Sequence, residues 1–203
     1  MASAPDAIGR GPVFGTLGPA GGNHDFVAAA FLAAHGLVGR VRLFPDFDDV
    51  FAALGAGDVD FVLQVAVHPS VAQSVGGNLG AAHLIDAFVA PSQPMAVLVD
   101  AACAQPESLA LMPATRSYVD VARWRRIVET PSTVDAWAML AAGQVDSALT
   151  LKRFADAASG RYRIDAEIGA VTDAWLIYGR APLPAPGWSL WRDAPAARMY
   201  RAA

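Results

Sequence analysis

Two segments of this chain follow one plan at a constant offset. Residues 45–63 read PDFDDVFAALGAGDVDFVL, and residues 131–149 read PSTVDAWAMLAAGQVDSAL. Pro45 aligns with Pro131, Leu54 with Leu140, Gly57 with Gly143, and Val59-Asp60 with Val145-Asp146. Each copy predicts a proline, an N-cap (Asp46 or Ser132), an amphipathic helix, a glycine stop and a strand that opens on Val-Asp. Asp and Ser side chains satisfy the free N–H groups of a first helical turn, and glycine closes a helix in the left-handed conformation. Two equivalent α/β units in 203 residues favour a two-lobed α/β molecule.

The rest of the chain alternates in the same way. Strand-like runs fall at 13–17, 41–44, 60–67, 84–90, 95–99, 108–112, 146–150 and 173–178, and helical patterns at 24–35, 46–56, 69–76, 116–128 and 132–142. That order predicts mainly parallel sheets. The break between lobes is expected at Ala90-Pro91-Ser92-Gln93-Pro94, where two prolines bracket polar residues. Two lobes joined by short crossovers enclose a cleft, and small ligands collect in such clefts.

Composition narrows the function classes. A chain that is 54% hydrophobic and 17% charged is globular, and a net charge of -4 argues against nucleic acid as a partner. The one basic cluster, Arg123-Trp124-Arg125-Arg126, reads as a solvated helix face or end. The single cysteine, Cys103, excludes an internal disulfide and suits a reducing compartment. Neither a secretory leader nor a membrane-spanning run is expected, so a cytoplasmic protein without membrane partners is anticipated. Trp188 and Trp191 suit either a homodimer interface or a tail packed on its own lobe. The histidines His24, His35, His68 and His83 are scattered, so no metal is expected. Nor does GPAGG continue as a nucleotide loop, because no Gly-Lys-Ser/Thr follows, and no cofactor is implied.

Carboxylate binding fits better. Residues 16–31 read TLGPAGGNHDFVAAAF, a strand end, a glycine turn and a helix start. Gly21 and Gly22 let backbone approach a ligand, and the first-turn N–H groups have no partner inside the helix. Asn23 and Asp25 either cap that helix or line a cleft, as do Ser132 and Thr133 at the second helix start. Two helix starts facing one cleft would suit a small dianion. His68 follows a buried-looking strand, the end of a parallel sheet where ligands gather. His24 sits in a first helical turn, where the positive dipole end disfavours an imidazolium, so it would act as a neutral donor or relay. Ser92, in the linker, is placed with the binding residues.

These motifs, in order, resemble those of the prephenate dehydratases. Gly18-Pro19-Ala20-Gly21-Gly22-Asn23-His24-Asp25 resembles the opening glycine motif of that family, FDDVFAALGAGDVD (47–60) its next block, and Pro131-Ser132-Thr133 its later helix start. Asp173-Ala174-Trp175-Leu176-Ile177-Tyr178-Gly179 falls where its last catalytic strand would stand. The resemblance spans residues 10–180 as one catalytic domain. It implies a two-lobed, type II periplasmic-binding-protein-like fold with prephenate in the interlobe cleft. The chain is then expected to cross back, giving lobe 1 as 1–92 plus 168–203 and lobe 2 as 93–167. The stretch after Gly179 is expected to be too short for the family's regulatory ACT domain.

Departures from the pattern redirect the expected chemistry. The family's Thr-Arg-Phe aligns with Asp173-Ala174-Trp175; a shift of one supplies Thr172 but leaves Asp173 in place of the arginine. The threonine of the opening motif is Gly22, and the block after Asp60 has become QVAVHPS. The resemblance therefore points towards the short prephenate decarboxylases, which release carbon dioxide and keep the ring hydroxyl. Protonation of the diene would then need an acid, with His24, His68, Asp25 and Asp173 as candidates. Gly21, Gly22, Asn23, Ser132, Thr133, Thr172 and Ser92 are the expected binding residues. A catalytically silent module that senses a small carboxylate by lobe closure stands as the alternative.

Overall fold

A computed structural model describes residues 11–158 and 160–183. Trp188 and Trp191 lie outside the described residues. The chain opens with β1 (Val13–Leu17), α1 (Asn23–Ala34), β2 (Arg40–Phe44), α2 (Phe47–Ala56), β3 (Phe61–Val65), α3 (Val71–Gly77) and β4 (His83–Pro91). It crosses to β5 (Met95–Asp100) and β6 (Ser108–Leu111), then makes two short 3₁₀ turns at Pro113–Tyr118 and Val121–Arg123. There follow β7 (Arg126–Glu129), α4 (Thr133–Ala141), β8 (Ser147–Leu151), α5 (Arg153–Ala157), β9 (Tyr162–Gly169) and a return to β10 (Thr172–Gly179).

The strands form two five-stranded sheets, ordered β2-β1-β3-β10-β4 and β7-β6-β8-β5-β9. The two orders superimpose: β1 corresponds to β6, β3 to β8, and the incoming crossover strand β10 to β5. Each sheet is mixed. The pairs β1–β2, β1–β3, β6–β7 and β6–β8 are parallel, while β10 and β5 run antiparallel to both neighbours. Antiparallel pairing follows from the crossovers, because a strand entering from the other lobe comes from the opposite end. The strands from Met95 to Gly169 form the second sheet, so the return crossover is the short stretch before Thr172.

The repeat is built as its residues require. Asp46 accepts from the Asp49 N–H at 2.8 Å and Ser132 from the Asp135 N–H at 3.1 Å, so both helices start on a side-chain cap. Gly57 closes α2 with φ 82°, a left-handed value that disfavours a side chain. Asp60 accepts from the Val13 N–H at 2.9 Å, and Asp146 accepts from the N–H groups of Glu107 and Ser108 at 3.0 and 2.9 Å. The aspartate of each Val-Asp pair thus fastens the third strand of its lobe to the first.

Alternation sends Val13 to the α2 face of sheet one, with Phe47, Val50 and Leu54, and Phe14 to the α1 face, with Val27, Ala28 and Leu32. In the second lobe Leu140 and Ala136 of α4 pack on Leu98 and Ala148, and Trp124 closes the opposite face over Leu109 and Leu149.

The helix expected at 116–128 is absent. Asp120 caps a single 3₁₀ turn by accepting from Ala122 N–H at 3.1 Å, and Arg126–Glu129 pairs with β6 as an edge strand. β-branched Val119, Val121, Ile127 and Val128 favour extended backbone here over helix. Among the described residues no helix is long and apolar enough to cross a membrane.

Candidate functional site

A cavity of about 330 Å³ lies between the two sheets. Its first-lobe wall comes from the end of β1 (Leu17-Gly18-Pro19), the start of α1, the turn after β3, and β10. Its second-lobe wall comes from Met95, the 3₁₀ turn after β6, and the start of α4. Most of the wall is apolar, and its polar groups are neutral donors, hydroxyls, two imidazoles and one carboxyl; among the described residues no Lys or Arg lines it.

The start of α1 is open to this space. Gly22 is its N-cap, and no side chain caps the helix. Asp25 instead turns back and accepts from the Gly21 N–H at 2.7 Å, while Phe26 is the first residue whose N–H bonds within the helix, to Gly22. The Gly22 N–H donates to the Pro19 carbonyl at 3.0 Å, so the free first-turn N–H groups are those of Asn23 and His24, at the cavity wall, where the helix end carries a partial positive charge. The start of α4, at Ser132 and Thr133, lines the same space. There the Ser132 hydroxyl is already engaged: it caps Asp135 N–H and donates to the Asp135 carboxylate at 2.7 Å.

Eight of the expected residues meet in the cavity wall: Gly22, Asn23, His24, His68, Ser92, Ser132, Thr133 and Asp173. Gly21, Asp25 and Thr172 are not part of the wall. Gly21 is the hinge of its loop, with φ 76°, and a Cβ there would stand 2.6 Å from Arg153 Nη2. Its carbonyl accepts from Arg153 at 2.8 Å and from Gln93 at 3.0 Å, joining the lobes. Asp25 holds the loop. Thr172 is the first residue of β10, paired with Pro91 and exposed. Asn23 and Ser92 also brace the crossover: Asn23 accepts from Gln93 N–H at 3.0 Å, and Ser92 Oγ from Val171 N–H at 3.0 Å.

The two imidazoles share an aromatic corner. His24 meets His68 edge-on with ring centroids 6.2 Å apart, and Phe47 and Trp175 stand edge-on to His24 at 5.5 and 5.3 Å. His24 as a residue keeps partial exposure, but its Nε2 is enclosed and without a partner. Burial, helped by repulsion from His68, lowers its pKa to about 3, so the ring is neutral at physiological pH. Burial also lowers the pKa of His68. At the third titratable group, Asp173, burial acts in the other direction and raises the carboxyl pKa. Tyr118 faces it: burial, then the Asp173 charge, pushes the phenol up.

Tyr118 and Thr115 were invisible as wall residues because they lie in or beside the segment that reads as helix, and Met112 because it closes the strand-like run 108–112. Trp175 carried a signal, since it stands where the family motif has its aromatic residue.

Neither a protein-family model nor a curated protein sequence matches this chain. Solved structures do. Prephenate dehydratase from Arthrobacter aurescens, in complex with L-Phe, superimposes with a TM-score of 0.63 at 17% identity, over 92% of this chain and 69% of that one. Prephenate dehydratase from Staphylococcus aureus gives 0.53 at 10% identity, over 83% and 67%. The periplasmic domain of BvgS from B. pertussis gives 0.50 at 14% identity, over 83% and 36%. At such identities the likeness is one of fold. This chain has the two-lobed, type II periplasmic-binding-protein-like architecture that the prephenate dehydratases also use.

Proposed function

We propose that the cavity holds a small cyclohexadiene carboxylic acid, prephenate or an analogue, and that the chain is a lyase that removes carbon dioxide while leaving the ring hydroxyl in place. The observation that carries this reading is an uncapped helix start and a burial-raised carboxyl in one cavity that no Lys or Arg among the described residues lines. The free N–H groups of Asn23 and His24 would hold one ligand carboxylate, with Thr133 at the facing helix start. The other carboxylate would lie against the apolar wall of Val65, Val67 and Met112. Unpaired charge there is costly, and the transition state for carbon dioxide loss, in which that charge spreads into the ring, is less so.

The ring carbon–carboxylate bond breaks, its electron pair shifts through the adjacent double bond, and the far carbon of that bond takes a proton. Asp173 in its protonated form is the donor; its carboxylate is then reprotonated from solvent, so one proton is consumed and one carbon dioxide released. His24 stays neutral and orients. A cytoplasmic location goes with this reading.

Incubation with prephenate and product analysis tests it. Carbon dioxide with a non-aromatic keto acid is the expected result, and Asp173→Asn is expected to lower kcat by about 10²- to 10⁴-fold, the usual worth of a general acid. Phenylpyruvate as product would sink it. A second reading, binding without turnover, is favoured by His24, whose pKa of about 3 removes it as a proton donor at neutral pH. Prephenate binding with no product would select that reading.

A further inference from the structure

His68 is wired from behind. The Ser70 N–H donates to its Nδ1 at 3.2 Å, and the Ser70 hydroxyl lies 2.8 Å from the same nitrogen. Buried Gln64 donates to that hydroxyl and to Ser74, each at 3.1 Å, which leaves the Ser70 hydroxyl proton free for His68. A nitrogen that receives an N–H carries a lone pair, so neutral His68 bears its proton on Nε2. Across the corner, His24 Nε2 is enclosed and unpartnered. An enclosed polar atom without a partner costs roughly 1–3 kcal/mol, which a ligand atom in the cavity would recover.

We propose that His24 and His68 form a subsite for one uncharged oxygen of the ligand, a hydroxyl, held between His68 Nε2–H and His24 Nε2. A hydroxyl accepts from His68 and still donates to a lone pair on His24, or offers a second lone pair if His24 carries the proton there. A carboxylate only accepts, so a lone pair on His24 Nε2 would repel it, and with the proton there instead it would still be a charge set among neutral groups. The aromatic edges of Phe47 and Trp175 complete a dry surround suited to a neutral group. The inference rests on the reading of this cavity as a ligand site and adds a reason for the hydroxyl to be kept. A neutral imidazole N–H is a far weaker acid than an imidazolium and gives a leaving hydroxyl little assistance, so the subsite holds the oxygen without expelling it.

The test uses the full chain, labelled with ¹⁵N-histidine, and the uncharged probes p-cresol and toluene. Two-bond ¹H–¹⁵N spectra should show His68 as the Nε2–H tautomer. p-Cresol, and not toluene, should shift the Nε2 resonances of His24 and His68. In His68→Phe the preference for p-cresol over toluene should fall by about tenfold, and His68→Gln, which retains an N–H donor, should restore part of it. An Nδ1–H tautomer, equal perturbation by both probes, or an unchanged preference in His68→Phe overturns the proposal. Discrimination of p-cresol without any prephenate binding would sustain the subsite and defeat the carboxylate reading; the converse result would do the reverse.

Discussion

His24 and Asp173 are a base and an acid, yet burial favours the uncharged form of each, lowering one pKa and raising the other. For His24 the consequence extends to stability. Its folded pKa of about 3 lies below the ordinary 6.5, so the unfolded chain binds the extra proton between those values. The stability that neutral His24 contributes is full above pH 6.5 and is lost as pH falls towards 3. His24→Phe keeps an aromatic ring beside Trp175 and Phe47 and removes the titration. Urea denaturation across that window should show the wild type losing stability more steeply, by up to about 1.4 kcal/mol per pH unit. Parallel pH dependences would mean that His24 is protonated in the folded state.

The helices α2 and α4 start on equivalent caps, but only Ser132 lines the cavity, while Asp46 lies outside its wall. Asp46→Ala and Ser132→Ala should each cost about 1 kcal/mol of stability, the usual worth of a cap. Calorimetric titration with prephenate should separate them: Asp46→Ala should keep the affinity, and Ser132→Ala should lower it by loosening the α4 start that positions Thr133. The repeat made these helices legible, because proline, cap, apolar stripe and glycine all agree in both copies. His68 was legible on separate grounds, as the residue after a buried-looking strand.

Tyr118 was not legible. Charged and apolar residues at 116–128 spell a helical stripe, while the chain there runs as two short turns and a strand, a choice made by packing Trp124 onto the second sheet. β9 also went unread. It is an edge strand whose pairing with β5 is interrupted by irregularities, and its Arg163, Asp165 and Glu167 alternate with Ile164, Ala166 and Ile168. Asp165 accepts from Arg163 and Arg123 at 2.8 Å, contacts that no local pattern announces.

Between the lobes, Gly21 forms a clasp outside the cavity wall. Arg153 of α5 donates to its carbonyl from the second lobe at 2.8 Å, and Gln93 of the crossover donates at 3.0 Å. Arg153 is an exposed partner, so its hydrogen bond is worth about 1 kcal/mol, or a factor of about five in an open–closed equilibrium. Arg153→Ala should therefore raise the radius of gyration of the ligand-free chain in small-angle scattering, and saturating ligand should reverse the change. An identical scattering curve would leave the two crossovers as the whole constraint.

Those crossovers set an order of assembly as well as a shape. β10 sits between β3 and β4, so the first sheet stays split until residues 172–179 arrive. The second sheet is contiguous, from Met95 to Gly169, and needs nothing that follows it. As the chain leaves the ribosome, the lobe begun first must wait with two strand edges exposed, while the lobe begun second can close. The N-terminal half is thus the later to mature, and it passes through synthesis with the greater need of protection from aggregation.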